Sequence, residues 1–380
     1  MQQILEAKYP ETITTTPIWT ILDSTKLKAF MICPRLFFYN YVLGWIPEHP
    51  NVHLEFGSAW HEAMEHLLNN GYSDESVAEA YLKFFTYYRK YFTEADDLDN
   101  GAKEPGNAMQ ALMEYVDYYK HDNFDVLYTE IAGSVPVTEE FDLTFKIDGI
   151  IRDDDGIKVL EHKTASQDSD ANRKQWLLNV QPGTYCHALY CLYPETQVYG
   201  AVINITVLRK KGNLFQRVPI RMGRDQMAVW QFNAEWYLNL IKHNFQCLSE
   251  CSLDDHIMRA FPMNTESCTK YGLCQYHAYC NAWTNPLQRC GEPQPGFKVK
   301  HWNPRDKQED ANYIVNGGEV KKNERTGKTT GREDAVSKIR PDQAGTNARS
   351  VEYSEIGMPG MLPRPADEPV KEQGQSDLLL

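Results

Sequence analysis

The sequence predicts an α/β domain built on a mixed sheet. Three observations predict it. Helical patterns fill residues 24–120, short β-branched alternating segments follow from 126 to 165, and a helix then intervenes before two more strands. The first helix runs from Thr25 to Ile32 with Ser24 as N-cap. Cys33-Pro34 interrupts it, and Pro34 opens a second helix that Gly44 ends. Further helices are read at Gly57–Leu68, stopped by Asn69-Asn70-Gly71, at Asp74–Phe92 and at Asn107–Lys120.

The segments VLYTEIAG, SVPVTEEFD, LTFKIDGIIRD and GIKVLEHKT read as consecutive strands, the last two joined by a tight turn at Asp153–Gly156. Asn172–Leu192 is a helix that Pro182 must kink or break. Tyr199–Leu208 and Leu214–Ile220 are strands, and Arg224–Cys247 is a long helix. After Cys290 the chain mixes Gly, Pro and alternating charge with little apolar periodicity, which reads as a disordered tail over 291–380. The organisation is thus an N-terminal extension (1–23), one domain (24–290) with a helical insertion at about 70–122 and a cysteine-rich segment at 268–280, and the tail.

Composition bounds the function. The chain has 380 residues, 39 Lys+Arg against 52 Asp+Glu, a net charge of −13 and 42% hydrophobic residues. That is enough apolar material for a real core. There is no run of about 18 apolar residues for a membrane span. The N-terminus lacks a basic region followed by an apolar run, so no secretory signal and a reducing compartment are expected. There the nine cysteines point to metal or catalysis before disulfides. The acidic balance weighs against general polyanion binding and leaves room for a local basic groove.

The chemistry concentrates in FKIDGIIRDDDGIKVLEHKTAS. Glu161 and Lys163 are two apart on a strand and share a face. A hairpin turning near Asp154–Gly156 brings Asp148 opposite Glu161. Two carboxylates and an ammonium would converge, a set suited to Mg²⁺ or Mn²⁺ and to activating water. Glu-x-Lys alone is commonly a surface ion pair. Here, however, both carboxylates follow apolar runs, where solvated surface is a poor explanation. HEAMEH is not a zinc-protease motif, because His66 falls at i+5 from His61 and turns to another face. TGKTTG in the tail lacks the first glycine of a phosphate loop (Lys322 stands there) and no strand precedes it, so ATP binding is rejected.

In order along the chain, these motifs resemble the PD-(D/E)xK nucleases, most closely the branch with the RecB-type nuclease domain and the Cas4-like exonucleases. The matching elements are Ser24, Leu27, Phe30 and Cys33-Pro34-Arg35-Leu36-Phe37; Gly57 to His61; Asp148-Gly149-Ile150; Val159-Leu160-Glu161-His162-Lys163-Thr164; Gln181 and Tyr185; and Cys268, Cys274 and Cys280. The resemblance implies a restriction-endonuclease-like core and a Cys-rich knuckle. It implies His61, Asp148, Glu161 and the backbone carbonyl of His162 on the metal, Lys163 as catalytic, and Gln181 and Tyr185 on the DNA backbone. Pro182-Gly183 inside the last motif departs from a helix interior.

The resemblance also implies a [4Fe–4S] cluster on Cys33, Cys268, Cys274 and Cys280. Ligand type admits zinc equally, and Cys251 and Cys290 are substitutes. Cys186, Cys191 and Cys247 read as core thiols. Lys26, Lys28, Arg35, Arg173, Lys174 and Arg209-Lys210-Lys211 are candidate phosphate contacts, and Tyr39, Tyr41, Trp45 and Trp60 candidate stacking platforms, while the plainer reading of any one of them is a solvated turn or a core aromatic. The expected function is a Mg²⁺- or Mn²⁺-dependent deoxyribonuclease, an exonuclease on DNA ends or single strands. Its setting would be recombination, repair or phage DNA processing in the cytoplasm of a bacterial or phage-infected cell, with a recombination or replication protein as partner. Two alternatives stand beside it: a non-catalytic DNA-end-binding subunit and a zinc-stapled interaction protein.

Overall fold

A computed structural model describes residues 1–270, 272–306, 312–315 and 319–321, the last two stretches by backbone alone. In order the elements are α1 (Gln2–Glu6), α2 (Ser24–Ile32), α3 (Pro34–Phe37), β1 (Trp45–Pro47), α4 (Val52–Asn70), α5 (Asp74–Tyr88) and α6 (Pro105–Tyr118). The strands β2 (Asp125–Pro136), β3 (Asp142–Asp153) and β4 (Gly156–Ala165) follow, then α7 (Asp170–Lys174) and α8 (Val180–Leu192). The chain continues with β5 (Val198–Val207), β6 (Leu214–Ile220), α9 (Arg224–Ser249), α10 (His277–Ala282), β7 (Phe297–Val299), β8 (Asn312–Val315) and β9 (Glu319–Lys321).

The main sheet runs β6-β5-β4-β3-β2-β8-β9. Its central strands β2, β3 and β4 form an antiparallel meander, while β5 lies parallel to β4 after the α7–α8 crossover. This is the mixed sheet flanked by helices that the sequence predicts. The two segments at 126–133 and 134–142 are largely one strand, because the pairing with β3 runs from Asp125 to Pro136 with one irregularity near Val126.

Two cores sandwich this sheet. One joins α2, α8 and α9 to the N-terminal residues Ile4, Tyr9, Trp19 and Leu22. The N-terminal extension is therefore not separate from the domain: its apolar side chains are buried in the main core. The second core is aromatic, with Phe56 and Trp60 of α4 packed on Phe84 and Tyr88 of α5 and Tyr115 of α6.

Local signals are met with adjustments. Asp23, not Ser24, caps α2, its carboxylate accepting from the Lys26 N–H at 2.8 Å. Pro34 opens α3, and the chain runs on as a π-helical turn, Phe38–Val42. Gly44 adopts φ +69 and Gly71 φ +80 where helical segments end. The expected helix at 172–192 is two helices.

The expected tail does not begin at 291. Strand β7 pairs with β1, and the Trp302 indole donates to Asp23 at 2.9 Å, closing the cap of α2. Residues 303–306 and strands β8 and β9 also fall within that expected tail, and the rest of it, with TGKTTG and the terminal QSDLLL, lies outside the described residues.

Candidate active site

The site forms where strands β3 and β4 part. Their ladder ends at the pair Gly149–Leu160. The next residues, Asp148 and Glu161, therefore stand side by side. The Asp148 carboxylate accepts the His162 N–H at 2.8 Å, taking the place of a ladder bond. Locally, the turn sets this register: Asp153 pairs with Gly156, which adopts φ +126 with the Gln197 carbonyl only 2.7 Å from where a Cβ would lie. The register between β2 and β3 pairs Thr129 with Gly149 and Ile131 with Ile147, which sets Glu130 opposite Asp148. Three carboxylates, Glu130, Asp148 and Glu161, thus lie in one row across three strands.

Helices bring the remaining groups. His61 on α4 places Nδ1 3.0 Å from Asp148 Oδ2. Ligand atoms of His61, Glu130 and Asp148 all lie within 4.8 Å of one another. Lys163 ion-pairs with Glu161, and Lys146 with Glu130. Gln181 on α8 donates to Glu161 at 3.0 Å and to the Tyr185 hydroxyl at 2.7 Å, and Tyr185 donates to the Lys146 carbonyl at 2.9 Å. The Gln181 amide thus spends one donation on Glu161 and one on Tyr185. Helix α8 is capped by Asn179, whose side chain accepts from the Gln181 N–H at 3.0 Å, so the Pro182 ring falls in the first turn, where a missing N–H costs nothing. Gly183 is needed because Trp230 of α9 packs on it: an added Cβ would sit 2.1 Å from the indole.

The electrostatics are those of crowded acids. Burial, reinforced by the Asp148 charge, raises Glu161 to about 7. Burial also raises Glu130 to about 7, with Asp148 adding to the shift. Asp148 goes the other way: burial opposes its charge, but His61 and Lys163 overcome it and hold the carboxyl well below its usual range. The same pairing raises His61 against its own burial. Glu161 Oε2 is buried with no hydrogen-bond partner among the described residues. That oxygen, two further carboxylates and an imidazole form a set of hard oxygen and nitrogen donors, flanked by the Lys163 and Lys146 ammonium groups. Mg²⁺ or Mn²⁺ fits such a set.

His61, Asp148, Glu161 and Lys163 lie around this row with Gln181 and Tyr185 beside it, though Glu161 is not in the group of ligand atoms within 4.8 Å of one another. Glu130 was not anticipated. Its strand signal was clear, but its place opposite Asp148 depends on the register between two strands, and its φ of +50 breaks the regular alternation. The His162 side chain points away: its Nδ1 meets Asn204 at 2.9 Å, and burial drives its pKa down to about 3. Only its backbone stays at the site. His66, by contrast, is buried near Asn70 and Glu79.

Several expected nucleic-acid contacts are structural instead. Lys26 is buried and donates to the Ile18 and Ile21 carbonyls, both at 2.7 Å. Arg35 is buried and donates to the Phe261 carbonyl at 2.8 Å. Tyr39, Tyr41, Trp45 and Trp60 are core aromatics. Arg173 and Lys174 are engaged with Asp168 and Asp170. Lys28 remains near the site, its ammonium held below its ordinary pKa by desolvation and then by Lys163. Arg209, Lys210 and Lys211 are exposed.

The cysteine set gathers at a second place. Cys33, Cys268, Cys274 and Cys280 line one cavity of about 290 Å³, while Cys251 and Cys290 do not line it. The segment is clipped to α2 and α3: Asn264 donates to Cys33 Sγ at 3.3 Å and to the Ile32 carbonyl at 2.8 Å. Burial raises the Cys280 thiol to about 11.

No helix among the described residues is long and apolar enough to cross a membrane. No curated protein matches the chain. A solved structure described as "Crystal structure of SSO0001" shares 13% identity over 60% of this chain and 78% of its own, with a TM-score of 0.28. The family model of the PD-(D/E)XK nuclease superfamily matches residues 24–281, the span that holds His61, Asp148, Glu161, Lys163 and all four clustered cysteines. The chain belongs to the PD-(D/E)XK nuclease superfamily.

Proposed function

We propose that the protein is a Mg²⁺- or Mn²⁺-dependent deoxyribonuclease of the Cas4-like branch, acting as an exonuclease on DNA ends or single strands in recombination, repair or phage DNA processing. The observation that carries this is the row of Glu130, Asp148 and Glu161 with His61 on the central Asp148, the ligand atoms of His61, Glu130 and Asp148 within 4.8 Å of one another, and a buried Glu161 oxygen with no hydrogen-bond partner among the described residues. His61, Asp148, Glu161 and Glu130 would hold the ion. Bound there, it supplies a Lewis acid and a water of lowered pKa.

The remaining chemistry belongs to the chain. Lys163 places an ammonium beside Glu161, where charge grows on the phosphorus oxygens during the cut. Gln181 and Tyr185 act as positioning residues: they fix the Glu161 carboxylate against β3. The phosphate contact first expected of Gln181 is a poorer match, since its amide hydrogens are already committed.

The cysteine cavity supports the [4Fe–4S] reading over zinc. Four sulfurs around one zinc, each about 2.3 Å from it, stand about 3.8 Å apart. Among the described residues, no three cysteine sulfurs lie within 4.8 Å of one another. Four thiols around an open cavity suit a multi-atom cluster better than a single ion. Its part would be structural, tying the C-terminal segment to α2 and α3. Iron and acid-labile sulfide in anaerobically purified protein would test this, and stoichiometric zinc without iron would refute it.

The function is tested by digesting end-labelled single- and double-stranded DNA with Mg²⁺ or Mn²⁺, comparing wild type with Glu161→Ala. Cleavage by wild type alone is expected. Absence of cleavage with either ion, or equal cleavage by both proteins, overturns the reading.

A further inference from the structure

The crossover between β4 and α8 carries an apolar tip that stands out to solvent among the described residues. Leu178 is 96% exposed and Leu177 47%. Both sit in a turn held by the chain's own bonds: Leu177 N–H to the Lys174 carbonyl at 3.2 Å, and Asn179 N–H to the Trp176 carbonyl at 3.3 Å. Asn179 then caps α8. At the other end, Arg173 ties α7 to Asp168 and reaches Gln216 of β6 at 3.3 Å. The tip is therefore presented on a braced turn.

Its position ties it to the active site. Trp176 lays its ring against Lys163, whose Nζ is 5.6 Å from the ring centroid. Leu178 precedes Gln181 by three residues, so their Cα atoms are at most about 11 Å apart. Glu161 is only 2% exposed and Asp148 9%. Both carboxylates are thus largely buried, and a phosphodiester must press close to reach them. A single strand can do so, whereas a base-paired strand brings its partner against the rim. Apolar side chains inserted between bases are a general means of unstacking a duplex.

We propose that the Leu177–Leu178 tip is a wedge that parts the two strands of a DNA end and admits one of them to the carboxylate row. This rests on the nuclease reading for its substrate. Leu178 touches the terminal base pair, and Trp176 holds the tip in register with Lys163.

The test compares wild type with Leu178→Ala on three end-labelled substrates: a blunt duplex, the same duplex with mismatched terminal pairs, and the single strand. Leu178 is exposed, so melting temperature checks that the fold is intact. The variant is expected to lose about tenfold more activity on the blunt duplex than on the other two, the low end of what one base contact is worth by alanine substitution. A parallel measurement needs no cleavage. A duplex with a terminal 2-aminopurine, bound without divalent metal, should brighten with wild type and much less with the variant. Equal losses on all three substrates, or equal brightening, overturn the wedge. If wild type cleaves none of the three, the nuclease reading fails, and the fluorescence alone decides: dependence on Leu178 upholds the wedge and independence overturns it.

Discussion

Replacing Gly183 by alanine should disable the site without touching a single group in it. The new Cβ would lie 2.1 Å from Trp230 Cδ1 and 2.3 Å from its Nε1, against an ordinary contact of at least 3.4 Å. Helix α8 or the indole must retreat by the difference, about 1.3 Å. Trp230 is buried in the main core, lies against His187 of α8 and donates to the Val180 carbonyl of α8 at 3.3 Å, so α8 shares the displacement. Gln181 and Tyr185 ride on α8. A shift of that size stretches the 3.0 Å bond from Gln181 to Glu161 beyond hydrogen-bond range. Overpacking of this kind costs about 1–3 kcal/mol, or roughly 2–4 °C of melting temperature per kcal/mol. Misplacing a catalytic group by about 1 Å can cost on the order of a hundredfold in rate.

The assays are thermal denaturation and initial rates on end-labelled DNA. The companion is Gly183→Ala/Trp230→Leu, in which the smaller side chain makes room for the methyl group. The double variant should recover activity relative to Gly183→Ala, which a double-mutant cycle reads as positive coupling. Unchanged rate and melting temperature in Gly183→Ala would refute the packing argument. So would additive losses in the cycle.

Further outcomes follow from the same site. Glu161 and Glu130 are acids whose folded pKa is raised, from an ordinary 4.5 to about 7. Their contribution to stability is full below about 4.5 and is lost as pH rises through about 7. The metal-free protein should therefore melt higher at pH 5 than at pH 8, and Mn²⁺ should raise the melting temperature more at pH 8; the reverse order contradicts the shifts. Glu130→Gln should weaken Mn²⁺ binding by at least about tenfold in calorimetry, the lower figure for losing a group that supports a metal site; unchanged affinity would remove Glu130 from the ligand set. Tyr115→Phe removes the hydroxyl that accepts from Asn204 at 2.7 Å beneath His162, and should cost about 1–3 kcal/mol in urea unfolding; a loss below about 0.5 kcal/mol would show that bond to be idle. Cys280→Ala should lower iron content and melting temperature together, and an unchanged iron content would take Cys280 out of the cluster.

The sequence determined on its own the parts of this protein that local chemistry sets. Asp148, Glu161 and Lys163 were legible because one tight turn links their strands, and a two-residue periodicity then fixes which side chains meet. The helix ends at Gly44 and Gly71, and the break before Pro182, are equally local. His61, Gln181, Tyr185 and the cysteines were legible only as motifs in order. Their convergence needs α4, α8 and the 264–280 segment to pack on one sheet. Tertiary structure alone decided the rest. Glu130 enters the carboxylate row through long-range register. Lys26 and Arg35, candidate phosphate contacts, are consumed by backbone carbonyls, those of Ile18 and Ile21 just upstream and that of Phe261, 226 positions away. Tyr39, Trp45 and Trp60 are core instead of surface. Trp302 closes a cap on a helix 279 positions away. Charge and aromaticity are properties of a residue, but burial and partnership belong to the surfaces that meet it, and those come from distant parts of the chain.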